Sequence, residues 1–139
     1  MLSDVYDGNL WQKLIASGYL NSPTSLACML NVDWYQDFTK TIYSSGSVYL
    51  VILNLPREIR MKEENMILLA EIPGPNEPTT MEYYLKPLVK ELKVLDKGVV
   101  LDDGRILRMR LQCISCDSPA TRKVSYILLR FMLPLTHTH

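Results

Sequence analysis

Apolar and polar positions change period several times along this chain, and the changes mark its elements. Residues 4–17 place Val5, Leu10, Trp11, Leu14 and Ile15 at helical spacing, with Gly18 as the stop. Asn21-Ser22-Pro23-Thr24 is a turn. Leu26 to Trp34 is almost continuously apolar, the pattern of a buried strand. Val48 to Leu53 is a β-branched and aromatic run, closed by Asn54-Leu55-Pro56-Arg57. After a charged connection over residues 57–64, Met66 to Ile72 is a third strand, ended by Pro73-Gly74-Pro75. Thr79 to Leu95 then returns to helical spacing, with Tyr84, Leu85, Leu88, Val89, Leu92 and Leu95 on one face. Pro87 inside that helix is expected to kink it or reset its start. Lys97-Gly98 closes the helix, and Asp102-Asp103-Gly104 is a tight turn. From Leu107 to Cys116 the period is two: Leu107, Met109, Leu111 and Cys113 on one face, Arg108, Arg110 and Gln112 on the other. Residues 124–135 fit helix or strand.

The order helix, strand, strand, strand, helix, strand constrains the topology. Short links between the first three strands favour an antiparallel meander. The helix then crosses over, which sets the fourth strand parallel to an earlier one. If that partner is the first strand, Asp33 and Asp117 come side by side at the ends of their runs. Strands disfavour aspartate, and a buried carboxylate needs a counter-charge or a metal. Two readings follow. Both aspartates hold a divalent ion such as Mg²⁺, which takes hard oxygen ligands; or Asp33 merely ends a strand and Asp117 caps a turn before Pro119. Asp37 competes for the first position but falls beyond the apolar run.

Composition narrows the classes. With 139 residues, 47% of them apolar, the chain can bury a single-domain core. Fifteen basic and fifteen acidic side chains cancel, so no global basic field points to nucleic acid, although a local patch would suffice. Arg122 and Lys123 are such a candidate, as phosphate contacts beside Asp117 or as solvated charge; Arg57, Arg60 and Lys62 divide the same way. No signal peptide opens the sequence and no run is long enough to span a membrane, so a nuclear or cytoplasmic site is expected. Cys113-Ile114-Ser115-Cys116 is a lone CxxC. It lacks two further zinc ligands, because His137 and His139 sit one residue apart in the tail.

Taken in order, LNVDWYQDF, SVYLVILNLPREIRMKEENMILLAEIPGPNEP, YYLKPLVKEL and LQCISCDSPATRK resemble the transposase of CACTA (En/Spm-type) DNA transposons, most closely fungal copies, over residues 4–124. The resemblance implies an α/β, partial ribonuclease-H-like fold: an antiparallel three-strand meander, a crossover helix and a fourth strand parallel to the first, with an N-terminal helix. It implies DDE/D chemistry, in which Mg²⁺ or Mn²⁺ supports DNA cleavage and strand transfer. The first catalytic, metal-binding aspartate matches Asp33 and the second Asp117. DNA, as transposon ends and target, and other transposase copies are the implied partners. The family's third acidic ligand comes from a helix downstream of these residues. The chain alone is therefore expected to hold metal weakly and to be inactive. Three segments are expected: an N-terminal helical segment over 1–22, a truncated core over 23–123, and a divergent tail over 124–139, disordered or out of frame. A non-catalytic DNA- or protein-binding module, and a pseudogene product without a selected role, are the other readings.

Overall fold

A computed structural model describes residues 4–35, 45–74, 81–116 and 126–127. Five strands form one sheet: β1 (Ser25–Tyr35), β2 (Ser45–Ile52), β3 (Met66–Ile72), β4 (Val99–Val100) and β5 (Ile106–Cys116). Their order is β3-β2-β1-β5-β4. The first three pair antiparallel, and β5 pairs parallel to β1, as the element order predicts. The short β4, absent from the sequence reading, pairs antiparallel with the start of β5. Among the described residues, α1 (Asn9–Ala16), α2 (Arg57–Arg60) and α3 (Glu82–Lys97) accompany the sheet.

A parallel pair at the centre of a sheet needs cover on both faces, and β1 receives it. Cys28, Leu30 and Val32 are buried with Val48, Leu50, Leu85, Val89 and Leu92, between the sheet and α3. On the other face Ala27 is buried with Leu14 of α1 and Leu53, with Trp11, Tyr19, Met29 and Cys113 around them. The alternate faces of β1 thus belong to two separate cores.

Several boundaries differ from the sequence pattern for local reasons. The first helix begins at Asn9, behind a 3-10 turn over Val5–Asp7. Strand β2 starts at Ser45, not Val48; Ser45, Gly46 and Ser47 look like a turn but lie paired and buried against β1. Helix α3 starts at Glu82 and continues through Pro87 to Lys97. Gly98 ends it at φ +117°, where its N–H caps Val94 and a Cβ would stand 2.9 Å from Ile106. Within β5 the pairing with β1 skips Gln112: Cys28 faces Leu111, and Met29 faces Cys113. This bulge corrects the strict alternation. Cys113 lies not with Leu107, Met109 and Leu111 but on the opposite face, beside Ala27 and Met29, while Ile114 and Cys116 return to the α3 side. The expected helix start at Thr79 and nearly all of residues 124–139 lie outside the described residues; Ile127 is buried with the α3-side core.

Arg60 anchors the N-terminal segment. It is 5% exposed, so it is an internal residue and not a phosphate contact. Its guanidinium donates to the Leu53 and Leu55 carbonyls and meets Asp4 at 2.6 Å. It also lies over the Tyr6 ring, whose hydroxyl is within 3.0 Å of three carbonyls, those of Leu53, Asn54 and Leu55. The turn after β2 thus offers its free carbonyls to one buried cation and one hydroxyl, both tied to the N-terminal segment. Burial works against the charge of Arg60, but hydrogen bonding to Asp4 and Tyr6 overcomes it and raises its pKa. The Arg60 hydrogen bond holds the Asp4 carboxyl below its ordinary value. A lowered folded-state pKa means that this contribution is complete above the unfolded value, about 3.9, and disappears as pH falls through the lowered one. Hydrogen exchange of residues 5–16 should therefore accelerate selectively in acid, before the sheet opens. Asp4→Asn should bring that exchange to neutral pH and remove its acid dependence, and Tyr6→Phe should cost about 1 kcal/mol in denaturant titrations. Equal protection in wild type and Asp4→Asn would show that the pair does not hold the segment.

Candidate functional site

Asp33 lies two residues before the end of β1, where the cover from α1 has run out. Alternation puts it on the face of Ala27 and Met29, but its side chain is exposed. A carboxylate buried in a strand would need a counter-charge; solvent reaches Asp33, so none is required. Among the described residues its carboxylate has no hydrogen-bond or ion-pair partner, which leaves its oxygens free to bind a hard cation.

The surroundings of Asp33 form a polar row across three strands. Asp33 faces Ser47 on β2, and Ser47 in turn faces Glu71 on β3. Ser47 is 1% exposed and its hydroxyl donates to Glu71 at 2.8 Å. Ser47 therefore engages the carboxylate of β3 and not that of β1. Two strand spacings, about 9.6 Å, separate the backbones bearing Asp33 and Glu71. The row lies outside the strand expected over Val48 to Leu53, because Ser45, Gly46 and Ser47 carry no apolar side chain to extend that run.

The next residue, Trp34, points to the α3 side and covers Gly46. A Cβ on Gly46 would lie 2.9 Å from the indole, so only glycine leaves the ring its place. The Trp34 Nε1 is buried without a hydrogen-bond partner among the described residues. The close approach of ring to backbone fixes the last turn of the β1 ladder beside Asp33.

Asp117, Asp37, Arg122 and Lys123 lie outside the described residues. What is described is the register that leads to Asp117. Val32 pairs with Cys116, the last residue of β5, and both side chains belong to the α3-side core. In the sequence Asp33 follows Val32, and Asp117 follows Cys116. The Gln112 bulge matters to this register. Without an extra residue in β5, Cys116 could not be both the partner of Val32 and on its face, given Leu111 opposite Cys28. Among the described residues no three His, Cys, Asp or Glu side chains cluster to hold a metal ion.

The family model described as Transposase family tnp2 matches residues 1–130. The chain belongs to the tnp2 transposase family. The match takes in Asp33, Asp117, Arg122 and Lys123. A search among curated proteins found no match. Among the described residues of this tnp2 chain, no helix is long and apolar enough to cross a membrane.

The CxxC of the tnp2 chain does not converge on a ligand. Three steps along a strand reverse the face: Cys113 packs beside Ala27, and Cys116 packs on the α3 side. Burial pushes the Cys113 thiol up, and pushes fully buried Cys28 up to about 12. Only the thiolate reacts, so Cys28 should resist an aromatic disulfide reagent at pH 8 until the protein is unfolded. Mild oxidation should give no Cys113–Cys116 disulfide by mass spectrometry. Formation of that disulfide in the folded protein would contradict the strand placement of the two thiols.

Proposed function

We propose that the chain is a ribonuclease-H-like DDE/D catalytic core of CACTA type, and that Asp33 and Asp117 are its first two metal ligands. The observation that carries this reading is the parallel register, in which Val32 and Cys116 are partners and an aspartate follows each. If the ladder continues by one more step, the two carboxylates come to lie on adjacent strands, on the face away from α3. Adjacent strands stand about 4.8 Å apart, close enough for two carboxylates to share one ion. The strand order β3-β2-β1-β5, with a meander, a crossover helix and a parallel return, supports the fold part of the reading.

The donor set suits Mg²⁺ or Mn²⁺, which take hard oxygens and retain water for exchange with phosphate oxygens. When bound, such ions activate an attacking oxygen and stabilise the leaving one. Asp33 contributes an accessible carboxylate without a competing partner among the described residues. Trp34 and Gly46 hold the strand end that carries it, and Ser47 keeps Glu71 engaged two strands away. Arg122 and Lys123, which follow the second aspartate closely in sequence, are the proposed cations for a DNA phosphate. Two carboxylates are part of a two-ion donor set, so the chain alone is proposed to bind metal weakly and not to turn over. Its place is inside the cell, with DNA and other transposase copies as partners.

Titration calorimetry with Mn²⁺ tests the ligand assignment without requiring turnover. Wild type should bind with weak affinity, and Asp33→Asn and Asp117→Asn should each weaken binding at least tenfold while the far-ultraviolet spectrum stays unchanged. Unaltered Mn²⁺ affinity in either folded variant would remove that residue from the site.

A further inference from the structure

Helix α3 carries four lysines on its solvent side: Lys86, Lys90, Lys93 and Lys97, all exposed. At 3.6 residues per turn their spacings of four, three and four residues place them within an arc of about 60°. The buried residues Leu85, Val89 and Leu92 are centred about 100° round the helix from the lysines, so the stripe runs along one flank of the exposed surface of α3. This arrangement is not the usual way to solvate a helix. Like charges three and four residues apart repel, whereas alternating Glu and Lys at those spacings would stabilise the same face. The helix dipole accounts for cations in the last turn, as at Lys97, but disfavours one as early as Lys86. Of the acidic residues, Glu82 stands four positions before Lys86, the spacing at which Glu and Lys attract, and offsets the first lysine; Glu91 lies roughly a quarter-turn or more to one side, and Asp96 is engaged by Arg110 at 2.8 Å.

We propose that this stripe is a docking surface for the phosphate backbone of duplex DNA. The proposal rests on the reading of the chain as a transposase core for its choice of polyanion; the surface itself is read from α3. From Lys86 to Lys97 the helix rises about 16 Å, the axial length of roughly five phosphates on one strand at 3.4 Å each. Tyr83 extends the stripe by one turn, 88% exposed, with a hydroxyl able to reach sugar or phosphate. The stripe has a direction. The Asp96–Arg110 pair and the packing of Gly98 near Ile106 fix the end of α3 at the beginning of β5. The helix therefore runs antiparallel to β5, with Lys86 toward the end of the sheet that bears Asp33. A duplex lying along the lysines is led toward that end.

The test is fluorescence anisotropy of a labelled 25-base-pair duplex of arbitrary sequence, titrated with protein over a range of salt concentrations. Four phosphate contacts give log K a slope of about −3.6 against log salt. The quadruple Lys→Gln variant at 86, 90, 93 and 97 should bind at least tenfold more weakly, with the slope reduced by about three. The quadruple Lys→Arg variant should retain binding, and Lys13→Gln, at an exposed lysine off the stripe, should change it little. Circular dichroism verifies that the helix is intact. Wild-type affinity and slope in the quadruple Lys→Gln variant would overturn the stripe and leave the transposase reading standing. A wild-type protein that binds no DNA at low salt would overturn both. Stripe-dependent binding to anionic phosphatidylserine vesicles, in a protein that ignores DNA, would assign the lysines to a lipid surface and overturn the proposal.

Discussion

The parallel pairing of β1 with β5 is the constraint on which the rest of the molecule depends. It joins the N-terminal meander to a strand more than seventy residues later in the chain, and it requires the crossover through α3. It also makes β1 a central strand, which must be covered on both faces. The α3 side is filled by the apolar face of the crossover helix. The other side is filled by the N-terminal segment, so Leu14, Trp11 and Tyr19 complete the sheet. Where that cover ends, β1 turns from buried Val32 to exposed Asp33. The candidate site is thus where the two-sided core stops, and the same ladder brings β5 to the same level.

The polar groups follow from this arrangement. The turn after β2 cannot continue the ladder, and its carbonyls would be left without donors next to a core. Asn54 resolves part of the problem, its side chain accepting from the Ala27 N–H at 2.7 Å like one more strand residue. Arg60 and Tyr6 resolve the rest and bind the N-terminal segment in the process. A buried guanidinium is costly unless its charge and its donors are matched, and Asp4 together with the carbonyls provides that match. The cover over one face of β1 is therefore tied to an ion pair at the opposite end of the strand from Asp33.

Much of the fold could be read in the sequence because its elements have clean periods. Met66–Ile72 matches β3 at both ends, and the apolar face of α3 and the stop at Gly98 are where the pattern puts them. The parts that escaped reading depend on contacts between distant residues. Nothing local marks Arg60 as internal, because its partners Asp4 and Tyr6 lie more than fifty residues away. The alternation of β5 breaks at Gln112 only because β1 imposes its register. Ser45, Gly46 and Ser47 form a strand rather than a turn because Trp34 lies against Gly46. Of the candidate site, Asp33 could be located and its exposure could not. Leu26 to Trp34 looks uniformly buried until one knows which side of the strand loses its cover first.

The central claim is that β1 and β5 deliver Asp33 and Asp117 to one metal on one face of the sheet. A crystal structure of the protein soaked in Mn²⁺, phased for anomalous scattering, tests it most directly. The account predicts an anomalous peak with a carboxylate oxygen of each aspartate at about 2.0–2.3 Å, the usual span for such ions. Carboxylates on opposite faces of the sheet, or a peak bound by one aspartate and not the other, would contradict it.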